Sequence, residues 1–322
     1  YCEAFFIHLS VKKYILANIS YNASNIMIPN KLNQGDKVAI VATARAISKE
    51  ELGKAVDLFE SWGLDVVFGD NLFKIDNQFA GDDYERASDF QDMIDNNEVK
   101  AIFCARGGYG TARIVDNINF SNLKNNPKWI IGYSDVTSLH THLNNLQIST
   151  LHATMPINIP LNTKSSLESL HSCLFNNSNS ISCDSHLLNR EGVISGEIVG
   201  GNLSVLYSLI GSPSDLDTND KILFLEDLDE YLYHIDRMIL NLKRNKKFSK
   251  LKGLIVGKMK GMHDNTIPFG KTANEIIYDY TREFNFPICF EFPSGHIKNN
   301  SPLIFNKNTL LKIENTGVTL IQ

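Results

Sequence analysis

Four short segments of this 322-residue chain place reactive side chains where apolar runs come to an end. The first is residues 129–137, WIIGYSDVT. An apolar strand stops at Gly132 and a helix begins within three residues, which pushes the Ser134 hydroxyl out at the carboxyl edge of a sheet. The neighbouring backbone amides then sit at the positive end of the new helix. This is the logic of a nucleophile elbow, although the wording is not G-x-S-x-G. A plain helix cap by Ser134 or Asp135 fits the same spacing. The second segment is residues 105–111, ARGGYGT. Clustered glycines let backbone N–H groups approach a ligand closely. The run matches neither G-x-G-x-x-G nor the lysine-containing P-loop, which weighs against a phosphate cradle. An oxyanion hole made from the Gly108 and Asp135 amides is one alternative, and a tight turn without a ligand is the other. Donors of the first kind stabilise developing carbonyl charge by about 3 kcal/mol each.

The third segment, residues 222–230 (ILFLEDLDE), delivers Glu226 and Asp227 to a strand end ahead of an amphipathic helix. Its carboxylates could serve a helix N-terminus, a metal or the orienting position of a catalytic triad. A metal would want further oxygen or nitrogen ligands in a regular pattern, and none is present, so no metal is expected. The fourth segment, residues 292–297 (FPSGHI), puts His296 in a loop after a short strand. Loop histidines are commonly structural or merely exposed, and a catalytic base is the sharper reading. The remaining candidates sit less suggestively: His140 and His142 follow Ser134 on a helix, His234 follows Glu226, and His263 lies in a glycine-flanked loop.

Alternating strands and helices must carry these segments. Strands are expected at 37–42, 64–68, 100–105 and 128–132, with helices at 50–62, 83–96 and 111–117 between them. That alternation implies a parallel sheet with helices on both faces. Residues 162–190, rich in Ser and Asn and weakly periodic, suit a connection rather than a core. Strands dominate again from Gly192, at 192–199, 222–225, 253–258, 288–290 and 310–321, with helices at 203–210, 231–242 and 272–283 among them. The expected division is an atypical extension over 1–26, an α/β domain over 27–161, a linker over 162–191 and a mixed domain over 192–322.

Composition narrows the partners. A net charge of −5 lacks the basic surplus of a phosphate-gripping protein, so nucleic acid is not an expected partner. The run KRNKK at 243–247 reads as a solvated helix end. No apolar run reaches the length of a membrane span, and no membrane partner is expected. Five scattered cysteines contain no Cys-x-x-Cys pair, which points to a reducing compartment, the cytoplasm. Cys104, inside the apolar stretch AIFC, reads as a buried small residue rather than a nucleophile.

Taken together, the segments resemble the LD-carboxypeptidase family of serine peptidases, which also contains the microcin C immunity proteins. The likeness rests on RGGYG at 106–110, GYSD at 132–135, GGNLS at 200–204, FLED at 224–227 with IDRM at 235–238, and Gly295-His296. It covers the chain from about residue 27 to its end. The resemblance implies an N-terminal Rossmann-like parallel sheet domain carrying the serine. A C-terminal swivelling β-barrel-type α/β domain would carry Glu and His, with the site between them. It makes Ser134 the nucleophile, His296 the general base and Glu226 the residue that holds the imidazole. The Gly108 and Asp135 amides become the oxyanion hole. The implied reaction removes the terminal D-alanine of a murein-derived tetrapeptide during cell-wall recycling, in a homodimer and without metal or organic cofactor. Two alternatives are a microcin-type hydrolase acting on a peptidyl-nucleotide amide and a muropeptide-binding protein with a dead site. Arg106 is a candidate anchor for a substrate carboxylate, with a structural ion pair as its other reading. Relatives often read His-Gly-Pro where this chain has His152-Ala-Thr-Met-Pro156, so His152 receives no role.

Overall fold

The computed structural model describes residues 26–322, so all but the last residue of the expected 1–26 extension lies outside it. The first half is built on five parallel strands: β1 (Lys37–Val41), β2 (Asp65–Phe68), β3 (Val99–Cys104), β4 (Trp129–Gly132) and β5 (Thr150–His152). Successive side chains point to opposite faces, and both faces are covered. Val38, Ile40, Phe103 and Ile131 enter one core, while Ala39, Val41, Ile102 and Ile130 enter the other. Helix α1 (Lys49–Ser61) covers the first core with Leu52, Ala55 and Phe59. Helix α2 (Asp83–Asp95) covers the second with Ala87, Phe90 and Ile94. Capping boxes start both helices, Ser48 with Glu51 and Asp82 with Glu85. The strands lie in the order β5-β4-β3-β1-β2, so the connections reverse direction between β1 and β3. Carboxyl-terminal loops diverge at such a switch point and leave a crevice.

The second half is a seven-stranded sheet. Its parallel part contains β7 (Gly192–Asn202), β8 (Ile222–Leu228), β9 (Gly253–Lys260) and β10 (Ile288–Cys289). Its antiparallel part runs from β7 through β12 (Asn308–Glu314) and β13 (Gly317–Ile321) to β6 (Ser180–Cys183). The two ends curl toward each other. Arg190, between β6 and β7, exchanges backbone hydrogen bonds of 2.9 and 3.1 Å with Ile288, and Ile181 and Cys289 share one core. The result is barrel-like, as expected. Helix α7 (Leu232–Arg244) lies on the parallel part through Ile235, Met238, Ile239 and Leu242, the spacing of one helical face.

Two expectations need correction. Residues 162–191 are not a bare linker. Helix α5 (Lys164–Asn176) sends Leu170, Cys173 and Leu174 into the first core, and β6 is a strand of the second sheet. The domain division also crosses itself, because β11 (Leu303–Phe305) pairs antiparallel with β5 and completes the first sheet.

Candidate active site

At the end of β4 the chain turns through a single 3₁₀ turn, Ser134–Val136, into helix α4 (Thr137–Asn145). Ser134 has φ 64°, a left-handed conformation that a non-glycine residue rarely adopts. The turn is tight: a Cβ on Gly132 would lie 2.8–3.1 Å from the Val136 side chain. The buried His140 ring donates through Nε2 to the Gly132 carbonyl at 2.9 Å. Burial pushes its pKa down to about 4, which makes it a neutral brace rather than a base.

The glycine run backs directly onto this turn. A Cβ on Gly107 would stand 3.1 Å from Ser134 Cβ and 3.2 Å from Oγ, so a side chain there would crowd the hydroxyl. The Asp135 carboxylate fastens the two segments by accepting, at 2.8 Å, the N–H of Thr111, the first residue of the short helix α3 (Thr111–Ile114). Burial raises the Asp135 carboxyl above its ordinary value, against the opposing hydrogen bonds from Thr111 and the charge of Arg86. Arg86, itself buried, donates to the Thr43 and Gly110 carbonyls at 2.7 and 3.2 Å. The spacing of the sequence pointed to the Asp135 amide; the structure adds a positioning job for its side chain.

His296 and Glu226 meet on the other half of the molecule. The His296 Nδ1 to Glu226 Oε2 distance is 2.7 Å, and Glu226 is fully buried. Three features let a loop histidine reach a strand carboxylate. The β8–β9 pairing shifts from Leu225 opposite Val256 to Asp227 opposite Met259, so a bulge in β9 faces Glu226. Gly295 has φ 115°, and a Cβ there would lie 2.7 Å from Glu226 Oε2. The Gly295 N–H donates to Asn300 Oδ1 at 2.9 Å, which holds the loop down. Burial works against a charged His296, but the charge and hydrogen bond of Glu226 prevail and raise the imidazole above its usual pKa.

The halves are joined by a residue of the GGNLS run that received no role in the sequence reading. Asn202 ends β7, and its N–H donates to Thr137 Oγ1 at 3.0 Å, three residues past Ser134. Its Nδ2 donates to Asp227 Oδ1 at 2.8 Å and to Glu226 Oε1 at 3.4 Å. Gly201 permits the contact, since a Cβ there would stand 2.4 Å from Thr137 Oγ1. Asp227, beside Glu226, is pushed up to about 7 by burial and by the neighbouring carboxylate. The Tyr133 ring packs 4.7 Å from the His296 ring, bringing the histidine to the residue before the serine. No hydrogen bond joins Ser134 Oγ to His296 among the described residues; such bonds commonly tighten only when substrate binds.

The other candidates separate cleanly. Arg106 is held by the Ala46 carbonyl at 2.9 Å and faces Glu51 at 3.8 Å, an arrangement that steadies the glycine loop. His234 and His263 pair with Glu230 and Asp229, and His142 meets Ser214. Cys104 is buried with its thiol pushed up to about 12. Among the described residues, no group of three or more His, Cys, Asp and Glu side chains is placed to hold a metal ion. No described helix is long and apolar enough to cross a membrane.

Comparison with known proteins decides the family. Residues 38–153 match the LD-carboxypeptidase N-terminal domain, and residues 195–311 match the LD-carboxypeptidase C-terminal domain. The chain belongs to the LD-carboxypeptidase family. It is 34% identical over 283 residues to the probable murein peptide carboxypeptidase of Bacillus subtilis, covering 83% of this chain and 86% of the relative. With the murein tetrapeptide carboxypeptidase of Pseudomonas aeruginosa it shares 24% identity over 287 residues, covering 86% and 93%. The crystal structure of muramoyltetrapeptide carboxypeptidase from Oxalobacter formigenes superposes with a TM-score of 0.81 at 24% identity, covering 88% of this chain and 98% of that one. The microcin C7 self immunity protein MccF reaches the same TM-score at 20% identity, covering 92% and 98%. These structural likenesses are evidence of a shared fold. The LD-carboxypeptidase fold therefore accounts for both sheets described above, and family membership makes this chain a carboxypeptidase.

Proposed function

We propose that this LD-carboxypeptidase is a serine enzyme that removes the terminal D-alanine from murein tetrapeptide. Ser134 acts as nucleophile, His296 as general base and Glu226 as the residue that orients and charge-matches the imidazole. The observation that carries this reading is the buried Glu226–His296 pair, 2.7 Å apart, delivered to the residue before a left-handed serine. Glu226 accepts the Nδ1 proton, which leaves Nε2 as the nitrogen that takes the serine proton. Attack on the carbonyl of the L,D bond gives a tetrahedral intermediate whose oxygen the Gly108 and Asp135 amides receive. Collapse transfers the proton from His296 to the leaving D-alanine nitrogen and leaves the tripeptide esterified to Ser134. Water, deprotonated by His296, then hydrolyses the ester and restores the hydroxyl.

The similarity to murein carboxypeptidases supports the substrate class. Four described cysteines, all free, suit the cytoplasm as site of action. A homodimer completes the reading and is checked by sedimentation at micromolar concentration. Mass spectrometry of murein tetrapeptide after incubation tests the function directly: loss of one alanine is expected, and Ser134→Ala abolishes it. Turnover of an aminoacyl sulfamoyl adenosine with an untouched tetrapeptide would move the substrate to the microcin type. Turnover retained in Ser134→Ala would remove the nucleophile.

A further inference from the structure

A carboxypeptidase must recognise a free carboxylate next to the bond it cuts, and Arg106, the arginine of the glycine run, is already engaged with Ala46 and Glu51. A second arginine stands closer to the requirement. Arg45 follows β1 at the switch point between β1 and β3, so it faces the loop that carries Gly107 and Gly108. Its side chain lies along Gly108: a Cβ there would fall 2.1 Å from Arg45 Cδ, 2.5 Å from Cγ and 3.5 Å from Nε. Gly108 has φ 114° and no side chain, and this leaves the trough that the arginine stem occupies. The preceding glycine faces Ser134 Oγ at 3.2 Å from its own Cβ position. Guanidinium and nucleophile therefore flank one Gly-Gly dipeptide.

The Arg45 backbone is fixed while its charge is free. Arg45 bridges Phe79, Ala46 N–H donates to the Gln78 carbonyl at 2.9 Å and Ala80 N–H to the Ala44 carbonyl at 3.1 Å. The side chain is exposed, and among the described residues no carboxylate, carbonyl or ring pairs with it. Arginines near acidic residues ordinarily find partners, as Arg86 and Arg113 both do at Asp83.

We propose that Arg45 is a substrate-binding residue that grips the terminal carboxylate of the peptide. The inference rests on the carboxypeptidase reading and deepens it by naming the group that makes the enzyme act at a chain end. A carboxylate one residue beyond the scissile bond lies about 3.8 Å, one Cα step, farther along the peptide. The planar fork of the guanidinium receives both its oxygens. Lys260, whose charge is felt at His296, is the rival cation.

The test compares purified full-length protein on three peptides: tetrapeptide with a free terminus, its C-terminal amide, and the free acid with the α-carboxyl of its internal glutamate amidated. Wild type favours both free-terminus peptides over the terminal amide. Arg45→Ala is expected to raise KM on the two free-terminus peptides about 10- to 100-fold, as loss of a charged hydrogen-bond pair does. It leaves the terminal amide unchanged, so the preference collapses. Arg45→Lys restores part of it, and labelling of Ser134 by a fluorophosphonate stays at the wild-type rate in both variants. A preserved preference in Arg45→Ala overturns the proposal. An equal loss on acid and terminal amide overturns it, as does an Arg45 effect that vanishes with the internal amide, or a collapse produced by Lys260→Ala instead. Wild type that cuts none of the peptides overturns the carboxypeptidase reading itself, an outcome distinct from all of these.

Discussion

At the scale of single residues, the charge state of His296 is set by a contest between burial and the Glu226 carboxylate, which the carboxylate wins. A general base must be neutral, so kcat/KM on tetrapeptide should climb with pH through a value above the ordinary histidine range of about 6.5. The sign follows from the direction: below its raised pKa the imidazole is protonated and cannot accept the serine proton. Glu226→Gln keeps the shape of the partner but removes its charge, so the acid limb should move to lower pH. The same change should reduce kcat by about 10²- to 10⁴-fold, since the wrong tautomer is then favoured. The imidazole resonance of His296, followed by NMR through the titration, reads the shift even where turnover is too slow. Gly295→Ala acts through space alone. Its new Cβ would lie 2.7 Å from Glu226 Oε2 and occupy a φ of 115°, so the histidine loop must move. Displacement of about 1 Å costs on the order of 100-fold in kcat, with an unchanged urea-unfolding midpoint as the check that the variant is folded.

At the scale of elements, the site depends on the end of β7 meeting the start of α4. Thr137→Val deletes the acceptor of the buried Asn202 N–H, which should cost about 1–3 kcal/mol in urea unfolding. It should also lower kcat roughly 10- to 100-fold by loosening Asn202 from Glu226 and Asp227. Thr137→Ser keeps the hydroxyl and should recover most of both. This contact was not legible in the sequence, because its partners stand 65 residues apart and each has a plain local reading: Asn202 caps α6 (Leu203–Leu209) through Val205. The Asp135 carboxylate was hidden for the same reason, its partner Thr111 lying 24 residues back. The segments that were legible share one property. Ser134, Gly108, Glu226 and His296 each follow an apolar run that stops abruptly, and a strand end announces itself even when its partner does not. Helix α5 escaped notice because its apolar face, Leu167, Leu170, Cys173 and Leu174, is diluted by Ser and Asn on the other side. Strand β11 has three residues, too few for a period to be visible.

At the scale of the whole molecule, two neutral histidines lie where the halves press together. The His152 ring packs against Phe224 at 5.0 Å and Phe305 at 5.4 Å, and both its nitrogens are buried without a partner. Burial holds it well below the ordinary histidine pKa, with the nearby His140 and His296 adding to the effect. In the unfolded chain it protonates near 6.5, so the unfolded state binds more protons below that value and stability falls as pH drops. Each such group contributes a slope of up to about 1.4 kcal/mol per pH unit. His152→Phe, which fills the space without a titrating group, should flatten the decline of the thermal midpoint between about pH 6.5 and 4.5. A slope unchanged by the substitution would assign the acid sensitivity elsewhere.

The return of β11 to the first sheet governs how the chain can be made. While residues 27–161 leave the ribosome, the edge of β5 waits with unpaired backbone groups until residue 305 has been synthesised. A nascent chain stalled or truncated before that point carries an open strand edge beside an exposed core. Such fragments should aggregate by edge pairing, whereas chains that extend past Phe305 should not, and the amino-terminal half expressed alone should need a strand supplied from outside.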